Sequence, residues 1–208
     1  MFKDFKTDQE TFWSGDFGNE YTVRNNRGNL SIAKNIALFS KILSKTTQVK
    51  SLIEFGANIG VNLQAIQKLI PTVELSAIEI NNQAVKELQK NVDLKVYHQS
   101  ILEFQPDYQF NFVLIKGVLI HINPDYLPQV YDLLYQSSDH YICLAEYYNP
   151  TPVTVNYRGH TERLFKRDFA GEMLDRFPDL YLIDYGFVYH RDHNFPQDDI
   201  TWFLLEKR

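Results

Sequence analysis

Apolar runs alternate with amphipathic segments through most of the chain. Buried strands are predicted where the apolar runs are short and continuous, at residues 49–55, 73–80, 94–97, 110–115 and 141–146. Helices are predicted where apolar residues recur every three or four positions, at residues 30–45, 59–70, 82–90 and 166–177, and from Pro124 onward with Asn123 as N-cap. This alternation indicates an α/β fold with a mostly parallel sheet and helices on both faces.

The last quarter of the chain has a different pattern. Apolar runs at residues 180–189 and 200–205 predict two further strands, which a long loop joins. The stretch from Arg158 to Arg163 is polar, and a solvated, salt-bridged loop is one alternative for it. No composition shift, internal repeat or low-complexity segment divides the 208 residues, so a single domain is expected.

Residues 1–28 are expected to form an N-terminal arm. Gly15 and Gly18 lie within this segment and argue against one long helix. Its rings are too many to leave in water: Phe12, Trp13, Phe17 and Tyr21. They fit either a packed arm or a lid that excludes water from a reaction site.

A glycine turn follows the first predicted strand and reads Glu54-Phe55-Gly56-Ala57-Asn58-Ile59-Gly60. Glycines in such a turn let backbone N–H groups approach a ligand, because no Cβ stands in the way. A second acid, Glu79, ends the next predicted strand, where a carboxylate can accept from both hydroxyls of a ribose. A tight turn without a cofactor, beside a solvated Glu79, is the simplest alternative.

The Glu-x-Gly-x-x-x-Gly spacing resembles motif I of class I S-adenosylmethionine (SAM) methyltransferases. A dinucleotide enzyme would need a third glycine, so an NAD(H) oxidoreductase is the weaker hypothesis. The resemblance implies a Rossmann-like class I methyltransferase fold, with a mostly parallel seven-stranded sheet and an antiparallel terminal strand. It also implies SAM contacts from Glu54, Gly56, Ala57, Asn58, Gly60 and the Lys116 backbone at the methionine, Glu79 and Ile80 at the ribose, and Ser100 and Ile101 at the adenine.

Charge limits the partners of the chain. Its net charge is −5, whereas a nucleic-acid binder needs a basic face that neutralises phosphates. The densest basic group is broken by acids and suits one small anion: Arg158, Arg163, Lys166 and Arg167. A small-molecule acceptor is therefore expected, with no nucleic-acid partner.

Cysteine usage and hydropathy indicate a cytoplasmic protein. The single cysteine, Cys143, lies in an apolar strand and cannot form an internal disulfide, so a reduced setting is expected. No apolar run approaches the ~20 residues of a membrane span, and the N-terminus lacks a signal-peptide core. We expect no membrane partner, and the sequence gives no prediction of oligomeric state.

Methyl transfer to a hydroxyl needs a base within hydrogen-bond reach of the acceptor. His121, after the fourth predicted strand, is the first candidate, because an imidazole titrates near neutral pH. Glu146, which ends the fifth, is the second. Candidates for the acceptor site, as walls or as partners of an acid group, are Tyr147, Tyr148, Arg158, His160 and Arg163. An ordinary structural role is an open alternative for each of these residues.

Histidines and acids within residues 190–199 raise the question of a metal site. Their spacing does not match a helical His-x-x-x-His pair, and an acid-rich loop is more often a solvated hairpin. We therefore expect no bound metal.

Several stretches together resemble one group, the pseudaminic acid biosynthesis-associated methylases. The resemblance runs almost the full length and rests on residues 9–15, 54–60, 116–124, 145–152, 157–160, 164–171 and 195–202. It implies an acceptor related to acidic nine-carbon sugars or their activated derivatives, methylated on O or N. The rival hypotheses are a methyltransferase that acts on RNA or protein and a SAM-binding scaffold without catalysis.

Overall fold

A seven-stranded sheet forms the centre of the molecule. A computed structural model describes residues 5–25 and 28–208, and this part of the chain contains β1 (Ser51–Phe55), β2 (Glu74–Glu79), β3 (Lys95–His98), β4 (Phe110–Lys116), β5 (Ser138–Glu146), β6 (Val153–Tyr157), β7 (His160–Lys166), β8 (Leu180–Val188) and β9 (Ile200–Lys207). The order in the sheet is β3-β2-β1-β4-β5-β9-β8. Pairs from β3 to β5 are parallel, and β9 is antiparallel to β5 and β8. The predicted sheet, with its antiparallel terminal strand, is confirmed.

Helices cover both faces of this sheet. They are α1 (Asp8–Ser14), α2 (Asp16–Asn25), α3 (Asn29–Leu43), α4 (Val61–Leu69), α5 (Asn82–Asn91), α6 (Leu127–Ser137) and α7 (Phe169–Arg176). On one face, α3, α4 and α5 bury residues such as Phe39, Leu63 and Leu88. On the other, α6 and α7 bury Val130 and Phe169. Because both faces are covered, the central strands are mostly apolar, with buried polar exceptions such as Glu54, which is why their sequence reads as nearly continuous apolar runs.

The strand order brings three loops to one edge of the sheet. Phe55, near the end of β1, lies beside Ile78 of β2 on one side and Ile115 of β4 on the other. Since these strands are parallel, the glycine turn and the segments that follow β2 and β4 emerge together. Ligands in open α/β sheets bind at this edge.

A β-hairpin forms around Arg158, in the stretch that is polar in sequence. β6 pairs with β7 in antiparallel fashion, and the tight turn between them places Arg158 at φ +51° and Gly159 at φ +85°. The sequence did not predict these two strands, because the first half of β7 keeps its polar side chains exposed and shows no apolar alternation. The following helix starts later than expected, where the Asp168 side chain accepts from the backbone N–H of Gly171 at 2.8 Å.

The N-terminal arm forms two short helices that break at Gly15, as the glycines predicted. Thr7 caps α1, and its backbone N–H and hydroxyl both reach the carboxylate of Glu10, at 2.8 and 3.1 Å. Residues 1–4, 26 and 27 of the expected arm lie outside the described part of the chain. In the part that is described, the helices are too short or too polar to cross a membrane.

Gly60→Ala should lower the free energy of unfolding by about 2–4 kcal/mol, because backbone strain and a steric clash add. Gly60 has φ +78°, and a Cβ there would collide with the Leu88 side chain of α5. Gly159→Ala is the matched control, since Gly159 has φ +85° but no atom within 4 Å of the added methyl. Urea denaturation measures both variants. Equal losses would contradict close contact between the turn and α5.

Candidate functional site

A cavity of about 510 Å³ opens at the edge where β1, β2 and β4 end. Its volume lies in the range of small-molecule sites. The arm, α3, the glycine turn and the segments after β2, β3, β4 and β5 contribute its wall. The predicted site residues that line it are Gly56, Ala57, Asn58, Glu79, Ile80, Ser100, Ile101, Lys116, His121, Tyr147 and Arg158.

Glu79 presents a fixed carboxylate to this cavity. One oxygen accepts from the backbone N–H of Asn58 in the glycine turn, and the other from the backbone N–H of Asn81, each at 2.7 Å. Each oxygen therefore keeps a lone pair for a ligand hydroxyl. Burial raises the pKa of Glu79, and the two N–H donors oppose that rise. Such an acid is held in place for a partner that donates two hydrogen bonds.

Glu54 lies beneath the glycine turn and outside the cavity lining. It is fully buried and accepts from the side-chain amide of Asn62 at 2.5 Å, while its second oxygen has no hydrogen-bond partner among the described residues. Burial raises the pKa of Glu54 to about 8, although nearby Lys116 favours the charged form. Glu54 thus fixes the first turn of α4 from below.

Ser100 joins the β3 end of the cavity to the arm. Its hydroxyl donates to the Glu10 carboxylate of α1 and accepts from the backbone N–H of Leu102 at 3.0 Å. The hydroxyl hydrogen is therefore used within the protein, rather than being free for a base nitrogen. Ile101 begins a single 3₁₀ turn and lines the cavity beside it.

Lys116 ends β4, and its side chain lies on the same face of the sheet as Glu54. It lines the cavity, and burial lowers the pKa of its ammonium group while Glu54 and Asp198 raise it. Asp198 comes from the β8–β9 loop and also lines the cavity. The amine therefore adds a polar side chain to a wall where only a backbone contact was expected.

His121 lies in a 3₁₀ turn after β4 and lines the cavity. Its Nδ1 is 2.6 Å from the backbone carbonyl oxygen of Arg163, and burial lowers the pKa of the imidazole to about 4. A carbonyl accepts only, so Nδ1 carries the hydrogen and Nε2 keeps a lone pair. The rings of Trp13 and Tyr157 lie 4.6 and 5.0 Å from the imidazole. His121 is thus a neutral hydrogen-bond acceptor in an aromatic surrounding.

Glu146 ends β5 and does not line the cavity. One carboxylate oxygen accepts from the backbone N–H groups of Val118 and Leu119, each at 3.0 Å. Burial raises the pKa of Glu146 to about 7, against the effect of these donors. The geometry makes Glu146 a support for the turn that carries His121, and it places no proton acceptor at the acceptor site.

The five candidate residues for the acceptor site do not all lie at one place. Tyr147 and Arg158 line the cavity, together with Tyr157, which the sequence did not single out. Tyr148 is 42% exposed and its ring lies near Phe203 on the sheet. The rings of His160 and Phe12 are 5.1 Å apart, and the Arg163 guanidinium lies 5.4 Å from the same Phe12 ring. Arg163 is therefore the member of the predicted basic cluster that contacts the arm, and Arg158 is the member that lines the cavity.

The arm and α3 contribute wall residues that the sequence did not predict. They are Thr7, Gln9, Glu10, Ser31, Lys34 and Asn35. The Thr7-x-x-Glu10 spacing predicts the start of a helix. No local pattern shows that this helix lies against the segment that follows β3. Only a fold that brings residue 10 to residue 100 reveals these positions.

Within residues 5–25 and 28–208, no three His, Cys, Asp or Glu side chains come close enough to hold a metal ion. In the loop between β8 and β9, His190 Nδ1 lies 2.8 Å from each carboxylate oxygen of Asp199. Asp192 accepts from the backbone N–H groups of Asn194 and Phe195. These contacts give the loop a structural explanation.

The free energy of unfolding should fall as the pH rises from about 4.5 to 8, and this fall should be smaller in Glu54→Gln. The folded chain keeps the Glu54 proton to about pH 8, whereas the unfolded carboxyl releases it near 4.5. The unfolded state binds fewer protons over this interval, so the free energy of unfolding falls by about 1 kcal/mol per pH unit. Urea denaturation at constant ionic strength measures it, with the exposed Glu74→Gln as control. A slope unchanged in Glu54→Gln would assign the effect to other groups.

No protein-family model and no curated protein matches the chain. Solved structures do match. Magnesium protoporphyrin IX methyltransferase from Synechocystis PCC 6803 with bound SAM has a TM-score of 0.64 at 11% identity, over 99% of this chain and 100% of that one. A second match is the 1,6-didemethyltoxoflavin-N1-methyltransferase from Burkholderia thailandensis, with bound 1,6-didemethyltoxoflavin and S-adenosylhomocysteine (SAH). Its TM-score is 0.68 at 11% identity, over 96% of this chain and 86% of that one.

A third similar structure is the N-methyltransferase NodS from Bradyrhizobium japonicum WM9 with SAH. Its TM-score is 0.62 at 13% identity, over 88% of this chain and 90% of that one. Nothing in these comparisons links the chain to pseudaminic acid biosynthesis. At such low identity the likeness concerns architecture, and the chain has the fold of class I SAM-dependent methyltransferases.

Proposed function

We propose that this protein is a SAM-dependent methyltransferase that acts on a small molecule. The observation that carries the proposal is Glu79, a buried carboxylate at the end of β2 with one lone pair free on each oxygen. It stands beside a glycine turn in a cavity large enough for a nucleoside and an acceptor. Methyltransferases of the same fold that hold SAM or SAH support this assignment.

The residues of the cavity fit SAM along its whole length. Glu79 would accept from the ribose hydroxyls, Ile80 would lie beside the ribose, and Ile101 would contact the base. The turn from Gly56 to Asn58 would hold the methionine end through its backbone. When bound, SAM supplies a methyl group on a positively charged sulfur. What the protein must add is binding, alignment and protection from water.

The arm is proposed to act as the lid of this site. Asn81, beside Glu79, donates to the backbone carbonyl of Trp13 at 3.2 Å and to the Asn19 side chain at 3.0 Å. Lys6 donates to the carbonyl of Leu102 at 3.0 Å, after β3. These bonds hold the arm across the strand ends, where it would shield a bound cofactor from water.

His121 is proposed as the proton acceptor for the acceptor group. Its Nε2 lone pair faces a neutral, largely apolar surrounding, and the carbonyl of Arg163 fixes the ring orientation through Nδ1. A hydroxyl or amine that donates to Nε2 would have its own lone pair directed elsewhere, available for the methyl group. As the acceptor would bond to the methyl carbon and the bond from that carbon to sulfur would break to leave SAH, His121 Nε2 would take the proton of the acceptor.

The acceptor is proposed to be a sugar acid or its activated derivative, of the pseudaminic type, methylated on O or N. Rings of Trp13, Tyr147 and Tyr157 line the cavity and suit a carbon-rich ring face. Arg158 at the cavity wall suits a carboxylate. A negatively charged chain without a basic face gives no support to a polynucleotide acceptor.

Calorimetric titration with SAM, SAH and NADH tests the cofactor. We expect micromolar binding of the two SAM compounds and none of NADH. Release of SAH is then measured with small acceptors, among which sugar acids are compared with their neutral sugars. Binding of neither SAM nor SAH would refute the proposal, and SAM binding without SAH release from any acceptor would favour a scaffold.

Glu79→Ala should weaken SAH binding by about 1–3 kcal/mol, or 5- to 150-fold. It removes the ribose acceptor and also the carboxylate that fixes the backbone of Asn58. Calorimetry measures the affinity, with Glu87→Ala, on the outer part of α5, as control. Equal affinity in wild type and Glu79→Ala would place the ribose elsewhere.

His121→Ala should lower kcat by about 100-fold or more and leave SAH affinity unchanged. Burial holds the pKa of His121 at about 4, so wild-type kcat should stay level from pH 8 down to about pH 5. Steady-state rates across that range measure both effects. The control is His140→Ala, at the opposite end of β5. A fall in wild-type rate with a midpoint near pH 6.5 would contradict a pKa of about 4 for His121 as the proton acceptor.

A further inference from the structure

We propose that two amide side chains of the N-terminal segment, Gln9 on α1 and Asn35 on α3, recognise the two amino groups of SAM. Gln9 would accept from the exocyclic amine of the adenine, and Asn35 from the α-ammonium group of the methionine. This inference rests on the proposed function. It adds residues outside the strand ends and the glycine turn, and it gives the N-terminal segment a role in choosing the cofactor.

Gln9 is a buried amide with an unused acceptor. Its side chain is 7% exposed and lines the cavity. The side-chain NH₂ donates to the backbone carbonyl of Glu162 in β7 at 3.0 Å, whereas Oε1 has no hydrogen-bond partner in the described part of the chain. A flipped amide would set two oxygens against each other, so the bond to Glu162 fixes which atom is left over.

Asn35 repeats this arrangement on α3. Its side chain is also 7% exposed and lines the cavity. The NH₂ group donates to the backbone carbonyl of Ser31 at 3.0 Å, one turn earlier, and Oδ1 lacks a hydrogen-bond partner across residues 5–25 and 28–208. Again the donor is used within the protein, and the acceptor is left over.

A buried acceptor without a donor costs about 1–3 kcal/mol, so two of them on residues that line one cavity indicate a ligand with donors at both positions. Both oxygens are closed to water in this conformation, so each amide would turn slightly toward the cavity when the ligand binds. The order of the strands assigns the amine of the base to Gln9 and the α-ammonium group to Asn35. Glu79, at the end of β2, marks the ribose. The neighbour of Gln9, Glu10, contacts Ser100 after β3, on the base side of the ribose. Asn35 belongs to α3, which packs against α4 on the side of β1 and the methionine.

SAM carries one amine at each of these ends, and both remain in SAH. The exocyclic amine of adenine donates two hydrogen bonds and the α-ammonium donates three. Because Gln9 and Asn35 each offer one oriented acceptor, a cofactor that lacks either amine would leave a buried oxygen unpaired. The N-terminal segment would therefore read the amines of the cofactor while it covers the site.

Calorimetry with SAH and two analogues tests this assignment. One analogue has hydrogen in place of the exocyclic amine of the base, and the other has hydrogen in place of the methionyl amine. Wild type should bind each about 5- to 100-fold more weakly than SAH. If both analogues bind as tightly as SAH, the inference is wrong although the proposed function stands. If SAH itself does not bind, the proposed function fails and the inference with it.

Variants then assign each amine to its residue. Gln9→Leu should lose most of the discrimination against the base analogue and keep that against the methionyl analogue, and Asn35→Leu should show the reverse. Gln89→Leu, at an exposed amide of α5, is the matched control and should keep both. If Gln9 or Asn35 had a purely structural role, its substitution would weaken the binding of SAH and both analogues equally. The affinity ratios of SAH to each analogue would then stay as in wild type, which would overturn the assignment. The wild-type ratios need no variant, so they decide the matter even if one variant fails to fold.

Discussion

The connection between the glycine turn and the end of β2 is the constraint on which the site depends. Backbone N–H groups of Gly56 and Ala57 donate to the carbonyl of Ile78 at 2.9 and 3.2 Å, and that of Asn58 donates to Glu79. The turn that ends β1 is thereby fixed to the neighbouring strand before any ligand arrives. A site formed in advance spares a ligand the cost of ordering it. Glu79 serves both purposes, because it fixes the turn with one lone pair of an oxygen and offers another to the cavity.

Buried carboxylates surround this connection and would not be kept for stability alone. Glu54 and Glu146 are nearly inaccessible, each has one oxygen without a hydrogen-bond partner among the described residues, and burial raises the pKa of both. Such groups cost free energy that an apolar side chain would not. Their other oxygens hold the first turn of α4 and the turn before His121. They give rigidity to the two backbone segments that form the cavity wall.

The N-terminal arm joins parts of the molecule that the sheet keeps apart. Its rings reach His121 and the β6–β7 hairpin, and its polar groups reach Asn81 and Ser100 beyond β2 and β3. Several of these bonds would have to break together for the cavity to open. A movement of the arm would therefore change the surroundings of Asn81, Ser100 and His121 together.

The sequence by itself determined the sheet, the position of the glycine turn and the acid at the end of β2, because continuous apolar runs and glycine spacing are local signals of burial and backbone conformation. Most of the predicted SAM contacts consequently line one cavity. The tertiary structure alone decided the rest. It turned Glu146 and Arg163 into supports, formed a hairpin from a polar stretch, and brought Gln9 and Asn35 to the cavity wall. The hairpin pairs neighbouring strands, but its polar residues hide the strand pattern. The other outcomes depend on contacts between distant residues, as in the bond from Gln9 to Glu162 across 153 positions, and no local pattern records such a pairing.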